Sequence, residues 1–510
     1  MLEDLLSAAG AVFHWYTFAA IALGMVGGLV IGAIPGLTAT MGMALLSPFT
    51  FFMDPVIGIS FLIGLYKGGI FGGTISAVLI GTPGTASNAA VVADGFALRN
   101  QGKAGLALHA GLLGALAGDL AGSVSLVFLA PLLASVAIHF GPQEFFALIL
   151  FSLTMVCYVS GTSLAKGLVA ASLGIFLALI GTDPIGGVPR LNFGIPELSS
   201  GIETIAIVTG VFGITEVLIQ MEKFGREKIP GSRAAVALGS MRIPISSLIP
   251  RWWTFLRSAL IGTFIGVLPG IGSETSTWVS YGIAKRSSKH PERFGEGELD
   301  GVIAPEAASS AECGAAMIPM LVFGIPGDIV TAILMSAFVA QGLQPGPFLL
   351  TEHRDVIYSL FISVLISSVF LYVIGRITMP WWGRVLRIPG PLLYSLVTVF
   401  CVVGTYSVHS QMFDVYMMLI FGVVGYLMRK LGIAVAPMIL AFILSTILEE
   451  SLRRGLVQSG GDILAFAERP IAAVFFGLTA LVIASFVWGE VRRRKEQGAL
   501  ASMEQAETVD

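Results

Sequence analysis

Gly32-Ala33-Ile34-Pro35-Gly36 opens, and Gly81-Thr82-Pro83-Gly84-Thr85 closes, a unit that the chain carries twice. The second copy opens with Gly266-Val267-Leu268-Pro269-Gly270 and closes with Gly324-Ile325-Pro326-Gly327. Each Gly-Pro-Gly element lies in or against a long apolar stretch. A helix interrupted by Pro and flanking Gly loses backbone hydrogen bonds, and its new ends expose unpaired N–H and C=O groups. In hydrocarbon such groups are tolerated only where protein buries them or where they line a wet cavity. Breaks in corresponding positions of two halves therefore point to the central binding site of a membrane transporter.

The composition around these elements agrees. Of 510 residues, 55% are hydrophobic and 12% charged, where a soluble domain carries about 25% charge. Apolar runs near roughly 18–20 residues recur along the chain, as in a polytopic helical membrane protein. The alternating segments of about ten residues that mark an outer-membrane barrel are missing from the sequence. No basic domain or aromatic-basic module suggests nucleic acid. Cys157, Cys313 and Cys401 lie far apart and read as buried small hydrophobes. The first apolar segment follows Glu3 and Asp4, not a basic region, so it does not read as a cleavable leader.

The sequence divides into a membrane repeat at 1–221 with a hairpin tip near 81–88, a basic connector at 222–257, a second repeat at 258–490 with a tip near 324–328, and a tail at 491–510. Tip arms of about ten residues are too short to span and suit re-entrant hairpins. In the first repeat these arms flank Lys67-Gly68-Gly69-Ile70-Phe71-Gly72-Gly73-Thr74 and the Gly81–Thr85 tip. The connector holds Lys223, Arg226, Lys228, Arg233, Arg242, Arg251 and Arg257 against Glu222 and Glu227, and Arg492-Arg493-Arg494-Lys495 follow the last apolar helix. Both read as cytoplasmic, and the tail beyond Glu496 is expected to be disordered. The first copy then starts from outside and the second from inside. The expectation is an all-α polytopic protein of two inverted-topology repeats with broken helices and re-entrant hairpins, about 10–12 transmembrane helices in all.

Polar groups at membrane depth are the candidate binding residues. Around the first break and tip these are Pro35, Gly36, Thr38, Thr82, Pro83, Gly84, Thr85, Ser87 and Asn88. Around the second they are Pro269, Gly270, Ser273, Glu274, Thr275, Ser309, Ser310, Glu312, Pro326 and Gly327. Free N–H groups at helix N-termini attract anions, while carbonyls and hydroxyl or amide oxygens coordinate a hard cation. A sodium ion is expected near Asn88, Ser273 and Ser310. Lys67 reads equally as a cation for a carboxylate substrate and as a salt-bridged structural lysine. Glu274 and Glu312 read as cation ligands, proton carriers or partners of a buried base. H-E-x-x-H, G-x-S-x-G and Walker A motifs are absent from the sequence, and no pair among the six histidines has ligand spacing. The reading is therefore not an enzyme and assigns no cofactor beyond a coupling cation, sodium or proton.

These residues resemble the large membrane subunit of the tripartite tricarboxylate transporters. The carriers include Gly32–Gly36, Tyr66 with Gly72-Gly73, Gly81–Thr85, Asp94-Gly95, Gln101–Gly105 and Gly181–Gly194. Pro269–Gly272, Ala284–Pro291, Ala304–Ala307, Gly324–Gly327, Gln344–Pro347 and Gly425–Gly432 complete the set. The resemblance implies a bacterial inner-membrane secondary carrier with a cytoplasmic C-terminus, working with a small four-helix membrane subunit and a periplasmic solute-binding protein. It further implies cation-coupled uptake of a tricarboxylate or dicarboxylate. Lys67, Gly81, Ser309-Ser310 and Glu274 depart from the family pattern, and all lie near the expected site. The rival readings are an ion or anion channel and a non-transporting membrane scaffold.

Overall fold

The computed structural model describes residues 10, 12–159, 163–226, 245–382 and 390–507. Glu227, Lys228, Arg233 and Arg242 of the connector lie outside them. The longer helices are α1 (Trp15–Ala33), α2 (Ala39–Thr50), α3 (Pro55–Ile80), α4 (Ala89–Asn100), α5 (Ala104–Ala137), α6 (Pro142–Val159), α7 (Leu164–Ala178) and α8 (Thr204–Lys223). Then follow α9 (Trp252–Val267), α10 (Gly272–Ser287), α11 (Asp300–Ala315), α12 (Met317–Phe323), α13 (Ile329–Ala340), α14 (Arg354–Thr378), α15 (Gly390–His409), α16 (Met412–Lys430), α17 (Ala436–Gln458) and α18 (Pro470–Glu507). Among the described residues nine helices are long and apolar enough to cross a membrane. Among the described residues the one sheet is a two-residue ribbon that pairs Gly181 with Arg190. The protein is an all-α polytopic membrane protein.

Local chemistry sets the helix ends. The Thr38 hydroxyl accepts the Met41 amide and starts α2 beyond the Pro35 break. Asp54 caps α3, with Pro55 in its first turn. Gly81 and Gly324 end their helices at φ +68°, where a side chain would be strained. The same succession of broken helix, return helix, long helix, tip and short helix occurs in α1–α4 and in α9–α13.

Two expectations need correction. The Gly-rich run 67–74 does not divide the first hairpin's incoming arm: α3 is one helix of 26 residues, and the outgoing arm, α4, has 12. Its glycines instead form a packing face. A Cβ at Gly72 would stand 2.7 Å from the Leu29 carbonyl oxygen, and one at Gly28 would stand 2.7 Å from the Gly69 nitrogen. Small residues let two helix backbones approach closely where lipid supplies no hydrophobic drive between them. The second departure is at the C-terminus, where α18 continues through the basic run to Glu507. Residues 492–507 are rich in Ala, Glu, Gln, Met, Arg and Lys, which propagate a helix at little cost.

Helix directions follow from these close approaches. Gly24 meets Phe61 and Gly32 meets Gly69, so α1 and α3 run parallel. Gly262 meets Ala308 and Gly266 meets Glu312, so α9 and α11 also run parallel. Helix α5 runs alongside α11 in the same sense, with Gly111 on Val302 and Gly122 on Ala311. The two central helices, α3 and α11, cross in opposite senses. Thr74 meets Glu306, and Tyr66 meets Asp328 just beyond the far end of α11 and α12.

Candidate functional site

Each tip folds back onto the break of its own half. A Cβ at Gly84 would strike the Gly32 carbonyl and stand 2.7 Å from Gly73 Cα. In the second half, the Gly270 amide donates to the Gly327 carbonyl at 2.7 Å. Each tip is then held by a side chain from the central helix of the other half. At the first tip, the Thr85 hydroxyl donates to Asn88 Oδ1. Asn88 Nδ2 donates to Thr74 Oγ1 at 2.8 Å, and the Thr74 hydroxyl donates to Glu306 Oε2. Thr85 and Ser87 hydroxyls lie 2.8 Å apart. At the second tip, the Tyr66 hydroxyl donates to Asp328 Oδ2 at 2.8 Å. Asp328 also caps α13, its Oδ1 accepting the Thr331 amide and hydroxyl, each at 2.7 Å. Thr74, Asn88, Glu306, Glu312 and Thr331 are all 0% exposed. The pattern is reciprocal: α11 serves the tip built on α3, and α3 serves the tip built on α11.

The expected site residues divide three ways. Thr85, Ser87 and Asn88 converge on Glu306 around the first tip, with Gly84 behind them. Pro326 and Gly327 are buried beside Gly270, and Glu312 and Glu274 lie within electrostatic reach of one another and of Asp328. Ser309 is buried, its hydroxyl donating to the Glu306 carbonyl, and Ser310 is buried beside it. The remaining expected residues make these contacts. Thr82 is exposed and Pro83 half-buried. Pro35 and Gly36 face Tyr394, Glu216 and Gln220. Thr38 is a helix cap. Buried Ser273 accepts from Ser276, half-buried Thr275 donates to the Ile271 carbonyl, and buried Pro269 adjoins the Gly270–Gly327 bond. Asn88 bonds Thr74, Thr85 and Glu306, with no bond to Ser273 or Ser310. Among the described residues no three His, Cys, Asp or Glu side chains converge as a metal site.

Lys67 sits in a buried ion pair. Its ammonium lies 2.9 Å from Asp119 Oδ2 and donates to Val364 O at 2.6 Å and to Ser123 and Ser368 hydroxyls at 3.1 Å. Both charged side chains are 1% exposed. This pair joins α3 to α5 and α14, and its donors are occupied by protein. Tyr66, Thr74 and Thr331 are not among the polar groups expected at the site, whereas Glu306 and Asp328 are among those flanking the second tip. Asp328 and Glu306 stood next to the motifs. Tyr66 and Thr74 gave no local signal, because their role depends on the crossing of two helices more than two hundred residues apart.

A vestibule of about 1140 Å³ opens on one face of the protein. Its lining includes Phe140, Thr182, Glu203, Gly324, Pro345 and His409. Gly324 thus faces the vestibule, while Asp328, at the other end of the same tip, faces the buried Tyr66. The wall near Thr182 is pinned by ion pairs. Arg190 forks onto both Glu449 oxygens at 2.7 and 2.6 Å, and Arg453 reaches Asp183 at 2.9 Å. The hydrogen bond from Arg453 holds the Asp183 carboxyl below its ordinary range.

The profile of the Tripartite tricarboxylate transporter TctA family matches residues 18–440. An Agrobacterium vitis protein described as "Uncharacterized 52.8 kDa protein in TAR-I ttuC' 3'region" is 35% identical over 466 residues, covering 91% of this chain and 92% of that protein. A second, from the TAR-II ttuC' 3'region of the same organism, is 34% identical over 236 residues, covering 46% of this chain and 98% of that protein. No solved structure matches.

Proposed function

Because this chain belongs to the tripartite tricarboxylate transporter TctA family, we propose that it is the large permease subunit of a binding-protein-dependent secondary transporter. It takes up a tricarboxylate or dicarboxylate across the bacterial inner membrane by cation-coupled alternating access. Its partners are a small four-helix membrane subunit and a periplasmic solute-binding protein. The reading rests above all on the reciprocal locking of the tips, Glu306 on Thr74 and Tyr66 on Asp328. Tips held by reversible hydrogen bonds across an interface between halves are elements that can exchange one set of partners for another, which alternating access requires.

Orientation supports the same reading. The ends of α4, α10, α14 and α16 and the start of α5 carry Arg99, Lys285, Arg286, Arg376, Arg429 and Lys103. The vestibule opens at the opposite ends, after α5 and before α8. By the positive-inside rule the basic face is cytoplasmic and the vestibule periplasmic, where a binding protein delivers its cargo. The opposed senses of α3 and α11 are what an inverted repeat requires. The second tip then separates an outward vestibule from the buried site. The substrate anion is held by the hydroxyls and free amides of the tips.

The test is uptake in vesicles holding this chain and its two partners, against labelled di- and tricarboxylates, under an imposed sodium or proton gradient. Saturable, gradient-driven uptake that needs the binding protein is the expected result. Unsaturable leak would instead indicate a channel, and absence of flux with folded protein would remove carboxylate transport.

A further inference from the structure

Building on that reading, we propose that Glu312 is a proton-binding residue of the transport cycle, carrying a proton while the second tip is closed over it. Glu312 lies on α11, fifteen residues before Gly327. The residue fifteen before Gly84 in the first half is Gly69, a packing glycine against Ala39 and Gly32. The second half thus places a carboxyl where the first has none.

That carboxyl is 0% exposed, and neither of its oxygens has a hydrogen-bond partner. The groups facing it from each packed element are few. Helix α3 brings Tyr66, whose hydroxyl donates to Asp328 at 2.8 Å and lies within reach of Glu312, the one donor beside it. Lys67, on the same helix, is already matched by Asp119 of α5. The tip brings Asp328, whose carboxylate is satisfied by Tyr66 and by two donors of Thr331. Helix α10 brings Glu274, a second acid, exposed on the surface. Cys313 is the neighbour on α11 itself.

An ionised carboxylate with two acid neighbours, a single donor already shared with Asp328 and, among the described residues, no cation facing it is the least favourable occupant of such a place. A proton removes the charge with one added atom. A hard cation needs several oxygens around it. Asp328 has spent its oxygens on internal donors, and no metal-holding group of His, Cys, Asp or Glu forms among the described residues. Breaking the Tyr66–Asp328 bond as the tip opens would free the phenol to donate to Glu312 and admit water from the vestibule side, so the proton can leave. Glu274 lies within electrostatic reach of Glu312 and is the next carboxyl along a route of exchange.

Infrared difference spectroscopy of the purified full chain at neutral pH in sodium-free buffer tests the proton directly. The expected result is a protonated-carboxyl stretching band that Glu312→Gln lacks, that Glu312→Asp moves, and that sodium chloride leaves in place. A spectrum that Glu312→Gln leaves unchanged overturns the proposal. So does a band that sodium removes at constant pH, which would make the place a sodium site. Coupling is tested in vesicles of the complete three-part system with labelled citrate and succinate as probes. Glu312→Gln should lose the acceleration of probe uptake given by an inside-alkaline gradient. Acceleration equal to that of the unsubstituted protein would refute the role. If neither probe moves, carboxylate transport fails while the infrared result still decides the protonation of Glu312.

Discussion

Asp94, on the outgoing helix of the first tip, ties that hairpin to the second half by an unusual number of bonds. Its Oδ1 accepts the amides of Gly295, Gly297 and Glu298 at 2.8, 3.0 and 2.8 Å, and its Oδ2 accepts the Tyr281 hydroxyl at 2.9 Å. Asp94→Ala removes the acceptor and orphans three amides together. A hydrogen bond to a charged group contributes about 1.5–3 kcal/mol. Gly295 and Glu296 are exposed, so water can rehydrate part of the loop, and about 1 kcal/mol per amide is the fairer figure, or about 3 kcal/mol in all. At 1.4 kcal/mol per decade, that is roughly a hundredfold. The assay is hydrogen–deuterium exchange of residues 290–300 in the purified protein, since local opening free energy sets amide protection. Asp94→Ala should speed exchange of this loop about a hundredfold. Asp94→Asn keeps a weaker neutral acceptor and should give about tenfold. Tyr281→Phe removes no amide acceptor and should give less than either. Protection unchanged in Asp94→Ala would refute the reasoning, because the loop would then be held by something else, such as the Gln101 side chain on the Glu296 carbonyl.

Three further outcomes follow from the same geometry. Gly84→Leu should abolish gradient-driven uptake at normal membrane abundance, because its Cβ alone would meet Gly73 Cα at 2.7 Å and Ser76 Oγ at 2.8 Å; retained uptake would show that the tip does not need this close seat. Lys67→Ala leaves Asp119 buried and unpaired and should cost about 3–5 kcal/mol, seen as lost monodisperse protein on size-exclusion chromatography, whereas Lys67→Met with Asp119→Leu should recover it; equal behaviour of the single and double variants would exclude a buried ion pair. Asp183 is held below its ordinary range by Arg453, so its contribution is present above the unfolded value of about 3.9 and is lost only as pH falls through the lower folded value. Limited proteolysis of the 181–190 ribbon should therefore be unchanged between pH 8 and 5 and rise below about pH 4; a rise between pH 7 and 5 would point to another group.

How far the sequence carried this depends on the range of each interaction. Helix class, the two Gly-Pro-Gly breaks and the left-handed ends at Gly81 and Gly324 are local chemistry, and local chemistry is legible in a string of residues. The Gly-rich run of α3 departs from expectation for a related reason: Gly lowers helix propensity in isolation, but here the glycines lie against α1, and packing outweighs propensity. What a glycine does is decided by its neighbour, and the neighbour is absent from the string.

The site shows the same limit more sharply. Asn88 and Glu312 could be picked out because a polar group in an apolar stretch is conspicuous wherever it points. Tyr66 and Thr74 could not, since an aromatic and a threonine are ordinary in a membrane helix, and only the crossing of α3 over α11 gives them Asp328 and Glu306 as partners. Lys67 shows the converse. It was conspicuous by the same rule, yet the structure supplies it with Asp119, two serines and a carbonyl. Conspicuous polarity therefore locates groups that need a partner, and only the fold tells whether the partner is the protein itself. By that criterion Lys67 is provided for from within, while Glu312, equally buried, is left with both oxygens unmatched. That difference, invisible in the sequence, is the reason to look for a transported ion at the glutamate and not at the lysine.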